Sequence, residues 1–290
     1  MDRIALGTAQ FGMRYGIANK KGQVSVEEAA LMVAYATACG ISVIDTAIAY
    51  GESEACLGQV GVNQFAIVTK LPAVPNNIDI SDAADWVRNQ VKASINRLRV
   101  PRLSGLLLHK PDQLFGPYST QIKIALFEMQ EQGFIEKLGV SIYKPNELEA
   151  IGQIFPFEIV QAPFNLLDRR LETSGWLLRL KRLGIEVHFR SVFLQGLLLM
   201  PISDIPNEFL RSFNLLHHWS NWLKNNNVTA LHTCLAFALS FREVNKVVVG
   251  ADSLDQLKQL NEINLKELNL EFPDIASEDL NLIDPSYWKI

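Results

Sequence analysis

The sequence predicts a single-domain α/β protein of the (β/α)8 TIM barrel class. Three observations predict it: eight short apolar runs, longer segments of helical periodicity between them, and a length of 290 residues that suits eight such units. Strands that alternate with helices need crossover connections, hence a parallel sheet, and eight units can close one. An apolar content of 48% against 20% charged residues supplies a substantial core and excludes a disordered chain.

The first strand is Ile4 to Leu6. Ser25, three residues before Glu28, then opens a helix over Val26 to Cys39, and Gly40 follows it where a left-handed residue commonly ends one. Strands two and three are Ser42 to Ile44 and Ala66 to Val68, with the helix Ala55 to Val60 between them, and Ser81 opens the helix Asp82 to Leu98. Gly105 to Leu108 is strand four, followed by a helix from Thr120 to Gln132 that Gly133 closes. Strand five, Leu138 to Val140, leads to Asn146 to Ile154, and strand six, Ile159 to Val160, leads to Leu171 to Arg182 and Gly184.

Strand seven is Glu186 to Phe189. The irregular connection after it, about 194–228, contains Pro201, Pro206 and Asn225-Asn226-Asn227; a loop this long carries function or its own helix, and Phe209 to Leu223 has the pattern of that helix. Thr229 to Ser240, strand eight at Lys246 to Val249, the helix Leu254 to Ile263 capped by Ser253, and a tail over about 266–290 complete the chain.

The net charge of −4 and the dispersed Lys and Arg residues give no footprint for nucleic acid or an anionic membrane. The apolar stretches fall short of the roughly 20 residues that span a bilayer, and Met1-Asp2-Arg3-Ile4 lacks the apolar core of a signal peptide, so the cytoplasm is the expected compartment. Cys39, Cys56 and Cys234 are odd in number and lack ligand spacing, which favours buried free thiols over disulfides or zinc. No metal is expected in the chemistry.

Sites in such barrels form at the C-terminal ends of the strands. Asp45 ends strand two, Tyr50 follows on its loop, Lys70 ends strand three and His109 ends strand four. A free phenol titrates near pKa ~10 and is a sluggish acid unless a cation favours its ionised form. Lys70 is expected to supply that charge, Asp45 to offset the desolvation of Lys70, and His109 to donate to an oxygen on which charge develops.

At these residues the chain resembles the aldo-keto reductases, (β/α)8 oxidoreductases that use NADPH or NADH. The resemblance runs through Leu6-Gly7-Thr8-Ala9-Gln10-Phe11-Gly12, Asp45-Thr46-Ala47, Tyr50-Gly51 with Glu54, Lys70, His109, Gly139-Val140-Ser141, Gln161 with Asn165, Ser191 with Gly196-Leu197-Leu198, and Gly250-Ala251 before Gln256-Leu257. It implies reduction of an aldehyde or ketone, with Tyr50 as general acid, Asp45 and Lys70 tuning it, and His109 orienting the carbonyl. By the same resemblance Gly7, Thr8, Ser141, Gln161, Arg190, Ser191, Gly250, Ala251, Ser253 and Gln256 bind NADP(H) or NAD(H), Ser141 and Gln161 through the nicotinamide carboxamide.

The turn Gly250-Ala251-Asp252-Ser253 leads into a helix start that suits a phosphate. Gln256 stands where an Arg is common and Asp252 adds a negative charge, so the choice between the two cofactors is open. Ile142 replaces a common Asn, and Arg190 stands where an aromatic commonly stacks on the nicotinamide; its planar guanidinium can stack as well, and it can pair with an anionic, sugar-type substrate or serve only in a structural salt bridge. Phe11, Met13, Tyr15, Phe115, Phe193 and the tail Pro285-Ser286-Tyr287-Trp288 are the apolar candidates for the mouth. Two alternatives stand beside the reductase: an idle dinucleotide-binding barrel serving as a regulatory or scaffold subunit, and a lyase or epimerase using Lys70 as a Schiff base. Oligomeric state is not legible.

Overall fold

Eight parallel strands close on themselves in chain order: β1 (Ile4–Gly7), β2 (Val43–Asp45), β3 (Ala66–Leu71), β4 (Gly105–Leu108), β5 (Leu138–Ser141), β6 (Ile159–Pro163), β7 (Glu186–Arg190) and β8 (Lys246–Gly250), which pairs with β1. This computed structural model describes residues 1–261 and 271–288. All strands but β4 run beyond their apolar runs, because ladder pairing and not side-chain polarity decides where a buried parallel strand stops. Gly7 lies opposite both Asp45 and Gly250, Ser141 opposite Gln161, and Pro163 opposite Arg190.

Side chains alternate across each strand, and this positions the site. Ala5, Val43, Val68, Leu107 and Ile159 form an apolar layer inside the barrel, with Val248 packed on it. Two residues further along the same strands stand Gly7, Asp45, Lys70, His109, Gln161 and Gly250. The period of two therefore carries all six onto the inner face, one layer nearer the C-terminal mouth. The larger core fills the space between strands and helices, where Leu6, Ile44 and Ile67 meet Met32, Leu57 and Val91.

The helix ends follow local chemistry. Ser25 accepts from the Glu28 N–H at the start of the Val26–Ala38 helix, and Gly40, Gly133 and Gly184 take φ of 74°, 78° and 72°. Ser81 differs from expectation: it lies in a 3-10 turn, Ile80–Asp82, and the Ala83–Leu98 helix begins beyond it without a side-chain cap. The connection after β7 winds through 3-10 turns, including Asn207–Ser212, before the helix Phe213–Asn226, so its helix starts later than the apolar pattern suggests. The helix after β8 is described over Leu254–Asn261; its expected end at Ile263, and residues 266–270 and 289–290 of the expected tail, lie outside the described residues. All three cysteines are free, Cys56 and Cys234 buried and Cys39 half-buried. Among the described residues no helix is long and apolar enough to cross a membrane.

One buried carboxylate ties the outer layer to β3. Glu54, on the helix Ser53–Val60, is 1% exposed and accepts from Thr69 Oγ1 at 2.7 Å, Ser94 Oγ at 2.6 Å, and Arg97 Nε and a terminal guanidinium nitrogen at 2.9 and 2.6 Å. Gly58 permits the approach, since a Cβ there would lie 1.9 Å from the Arg97 carbonyl oxygen. Without Glu54 the buried Thr69 and Ser94 hydroxyls lose their acceptor, at about 1–3 kcal/mol each, while Arg97, 37% exposed, stays in contact with water. Glu54→Ala is therefore expected to lower the urea-unfolding free energy by about 2–6 kcal/mol; a loss below about 1 kcal/mol, the level of an exposed pair, would show that the network does not hold the helix to the strand.

Candidate active site

Asp45, the last residue of β2, is the hub of the mouth. Its Oδ2 accepts from Lys70 Nζ at 2.6 Å, its Oδ1 from Gln161 Nε2 at 2.6 Å, and its backbone oxygen from Thr8 Oγ1 at 3.0 Å. Lys70, 1% exposed, also donates to the Thr46 carbonyl at 2.8 Å. The ammonium lies 5.1 Å from the centre of the Tyr50 ring, and that ring meets His109 edge-on, with centroids 5.9 Å apart and planes at 82°. Among the described residues the Tyr50 hydroxyl has no hydrogen-bond partner.

The electrostatics depart from the sequence expectation. Burial, and after it the Asp45 carboxylate, push the Tyr50 phenol well above its ordinary pKa, while Arg190 pulls the other way. Lys70 was expected to make the phenol more acidic, but burial and the Asp45 carboxylate beside the ammonium push the other way, and burial lowers the pKa of Lys70 itself. The phenol thus keeps its proton in the resting site. Tyr15 beside it is pushed up to about 12, chiefly by burial. His109 is pulled down to about 4 by burial, then by Lys70 and Arg190, so its imidazole is neutral at ordinary pH.

A cleft of about 490 Å³ runs from Tyr50 and Asp45 past Gln161 to Gly7, Gly250 and Asp252. Backbone forms part of its floor: a Cβ on Gly7 would come 3.3 Å from Gly250 N, and one on Gly250 2.7 Å from Gln10 Nε2. With its nitrogen fixed on Asp45, Gln161 leaves Oε1 buried and without a partner. Arg190 lies with its guanidinium 4.2 Å over the Tyr143 ring and donates to the Ile142 carbonyl at 3.1 Å and Ser191 Oγ at 3.3 Å. Ser191, at φ 57°, is held by Asn165 Nδ2, which donates to its carbonyl at 3.0 Å. Segments from β1 and β7 join where Ile17 N donates to Gln195 O at 3.0 Å.

Most residues singled out in the sequence meet here. Gly7, Thr8, Asp45, Tyr50, Gln161 and Arg190 line the cleft, as do Ser191, Gly250, Ala251 and Gln256. Lys70 and His109 stand outside the lining and reach it through Tyr50 and Asp45. Ser141 and Ser253 are buried outside it, the latter engaged with Gln256 N at 3.4 Å. Thr8 is occupied structurally, its hydroxyl donating to Asp45 O and accepting from Ser53 at 3.0 Å.

Of the apolar candidates, Tyr15 and Phe193 line the cleft, Phe11 is core at 0% exposure, Phe115 is exposed, and Trp288 packs on Phe209. Gln10, Asn19 and Tyr143 were missed as site residues. Asn19 had a signal: between Gly16 and Gly22 it makes an Asx turn, its side-chain oxygen accepting from Lys21 N and Gly22 N at 2.9 and 2.7 Å.

The family model described as "Aldo/keto reductase family" matches residues 3–277. The chain is 29% identical over 183 residues to "Aldo-keto reductase YhdN" of Bacillus subtilis, a match covering 60% of this chain and 53%, about half, of that protein. It is 25% identical over 271 residues to the "NADH-specific methylglyoxal reductase" of Escherichia coli, covering 81% of each. The solved holo form of an aldo-keto reductase from Bacillus halodurans superposes with a TM-score of 0.71 at 19% identity, over 93% of this chain and 87% of that one, a likeness of fold.

The low His109 value is open to measurement. In a proton–nitrogen NMR titration its ring is expected to show no transition between pH 5 and 8 and to protonate near the value of about 4 set by burial. A midpoint close to the ordinary pKa of ~6.5 would mean that water reaches the ring and that it is no fixed neutral donor.

Proposed function

The chain belongs to the aldo/keto reductase family and is an NAD(P)H-dependent oxidoreductase, and from that premise we propose that it reduces a small anionic aldehyde or ketone with Tyr50 as the general acid. One observation carries the reading: a phenol that retains its proton faces the cleft above a buried Lys70–Asp45 ion pair, its hydroxyl unclaimed by the protein.

A bound reduced nicotinamide supplies the hydride. The residues present fit such a group, since Gln161 Oε1 is a buried acceptor lacking a donor, as a carboxamide would provide, and the Gly7–Gly250 floor lets a flat ring approach the backbone. Tyr50 gives its proton to the carbonyl oxygen as negative charge develops there. A phenol stabilised in its neutral form is a weak acid at rest, but an alkoxide is a far stronger base and takes the proton. Arg190 favours the phenolate that remains. His109, neutral, can donate one N–H to the same oxygen. Lys70 is unsuited to a Schiff base, because its ammonium is fully buried and held by Asp45 and Thr46.

Arg190 supports an anionic substrate. Among the described residues it has no carboxylate partner, yet it lines the cleft and its charge reaches Tyr15, Tyr50 and His109. A guanidinium stacked on one face keeps its edge free for bidentate contact with a carboxylate. The Escherichia coli relative is named for methylglyoxal, a carbonyl of similar size to a small oxo acid.

Tyr50→Phe should leave NADH fluorescence enhancement unchanged while carbonyl reduction falls by about 10²–10⁴-fold; turnover within a few-fold of the parent rules out the acid role. A parent protein that binds the dinucleotide but reduces no carbonyl would be the idle barrel instead. For the substrate, Arg190→Met should raise KM for glyoxylate about 10- to 100-fold and hardly change it for an uncharged aldehyde. Equal effects on both, or weakened NADH binding alone, would remove Arg190 from the substrate and assign it to the dinucleotide.

A further inference from the structure

We propose that this cleft selects NADH against NADPH, and that Asp252 and Glu28 are the residues that decide it. The inference rests on the reading above, that a reduced nicotinamide dinucleotide lies in the cleft.

Hydride and proton must reach the two ends of one carbonyl bond, so the nicotinamide belongs beside Tyr50. The adenosine half then lies toward the other end of the cleft, where Asp252, Gln256 and Gln259 stand. The two cofactors differ there by one phosphate on the ribose, a group carrying about −1.5 to −2 charges at neutral pH. Recognising it takes cations or free N–H donors.

The lining offers no cation at that end of the cleft. Among the described residues lining the cleft only Asp45, Arg190 and Asp252 are charged, and Arg190 is at the catalytic end. Lys21 influences Asp252, but it is exposed and outside the lining. Three backbone donors at the start of the Leu254–Asn261 helix are already taken from within the chain: Asp252 N donates to Gln256 Oε1 at 2.7 Å, Leu254 N to Glu28 Oε1 at 2.7 Å, and Gln256 N to Ser253 Oγ at 3.4 Å. Glu28 reaches over from the Val26–Ala38 helix, so the favourable dipole of this helix start acts on a carboxylate of the protein itself. An incoming phosphate would meet the carboxylates of both Glu28 and Asp252.

A ribose diol meets the opposite situation. Asp252 is held in the cleft by Asn19 Nδ2, which donates to Oδ1 at 3.2 Å, and by Gln10. These contacts leave carboxylate lone pairs that can accept from vicinal hydroxyls, as an acidic residue does for the ribose of NAD in other dinucleotide sites. The same carboxylate repels a phosphate on that ribose. Gln256, in the place where a cation would discriminate the other way, turns its amide oxygen onto the loop and presents no charge.

Dissociation constants for NADH and NADPH, measured by isothermal titration calorimetry on the whole chain without a carbonyl present, test this directly. NADH is expected to bind about 100-fold more tightly, the scale of placing a phosphate near one or two carboxylates at an effective dielectric between protein and water. Asp252→Asn should narrow the ratio at least about 10-fold by strengthening NADPH, and Glu28→Gln should narrow it in the same direction. Circular dichroism melts on both variants verify folding. Comparable constants for the two cofactors in the parent protein, or a ratio that Asp252→Asn leaves unmoved in a folded variant, would overturn the proposal. Binding of neither cofactor would instead overturn the dinucleotide reading on which it stands.

Discussion

The buried contact between Asp45 and Lys70 is the constraint around which the mouth of the barrel is arranged. A lysine at 1% exposure costs several kcal/mol to desolvate, and one carboxylate at 2.6 Å repays that only with further hydrogen bonds. Those bonds come from Gln161 on β6 and, through the backbone, from Thr8 after β1. Four strands are thereby fixed relative to one another at their C-terminal ends. The alternating inward layer beneath, built on Val43, Val68 and Ile159, sets the height at which the polar layer stands.

That geometry separates two requirements on a catalytic phenol. It must hold its proton until charge appears on the substrate, and the anion it leaves must then be tolerated. Burial and Asp45 serve the first, and Arg190 serves the second. With Lys70 paired to Asp45, the cation that favours the phenolate is Arg190, the last residue of β7, which stacks on Tyr143. The neutral His109 adds no competing charge.

Much of this was legible in the sequence because it follows from short periods. Apolar runs gave the strands, and the places of Asp45, Lys70 and His109 at their ends gave the mouth; the two-residue step from Val43 to Asp45 and from Val68 to Lys70 is the physical reason they share a layer. What escaped the sequence depends on contacts between distant segments. Nothing near Gln256 indicates that its amide folds back onto Asp252, nothing near Glu28 that it reaches Leu254, and nothing near Arg190 that Tyr143 lies beneath it. The sign of the Tyr50 shift failed for a related reason: Asp45 was read as the partner of Lys70 and not as a charge acting on the phenol, and the burial of the ring was not weighed. Phe11 was placed at the mouth from its position after β1, but the single helical turn Ala9–Gly12 rotates it into the core.

The junction of Ile17 with Gln195 has a kinetic side. β8 stands between β7 and β1, so this backbone contact joins the flanking segments across the end of β8, beside Gly250 and the cleft. The Gln195 end is itself under tension, with Leu194 and Gln195 at φ 48° and 53°, a region that side chains with a Cβ disfavour. One hydrogen bond and a strained turn hold this rim together, so it can part at a lower cost than the β8 ladder beneath it.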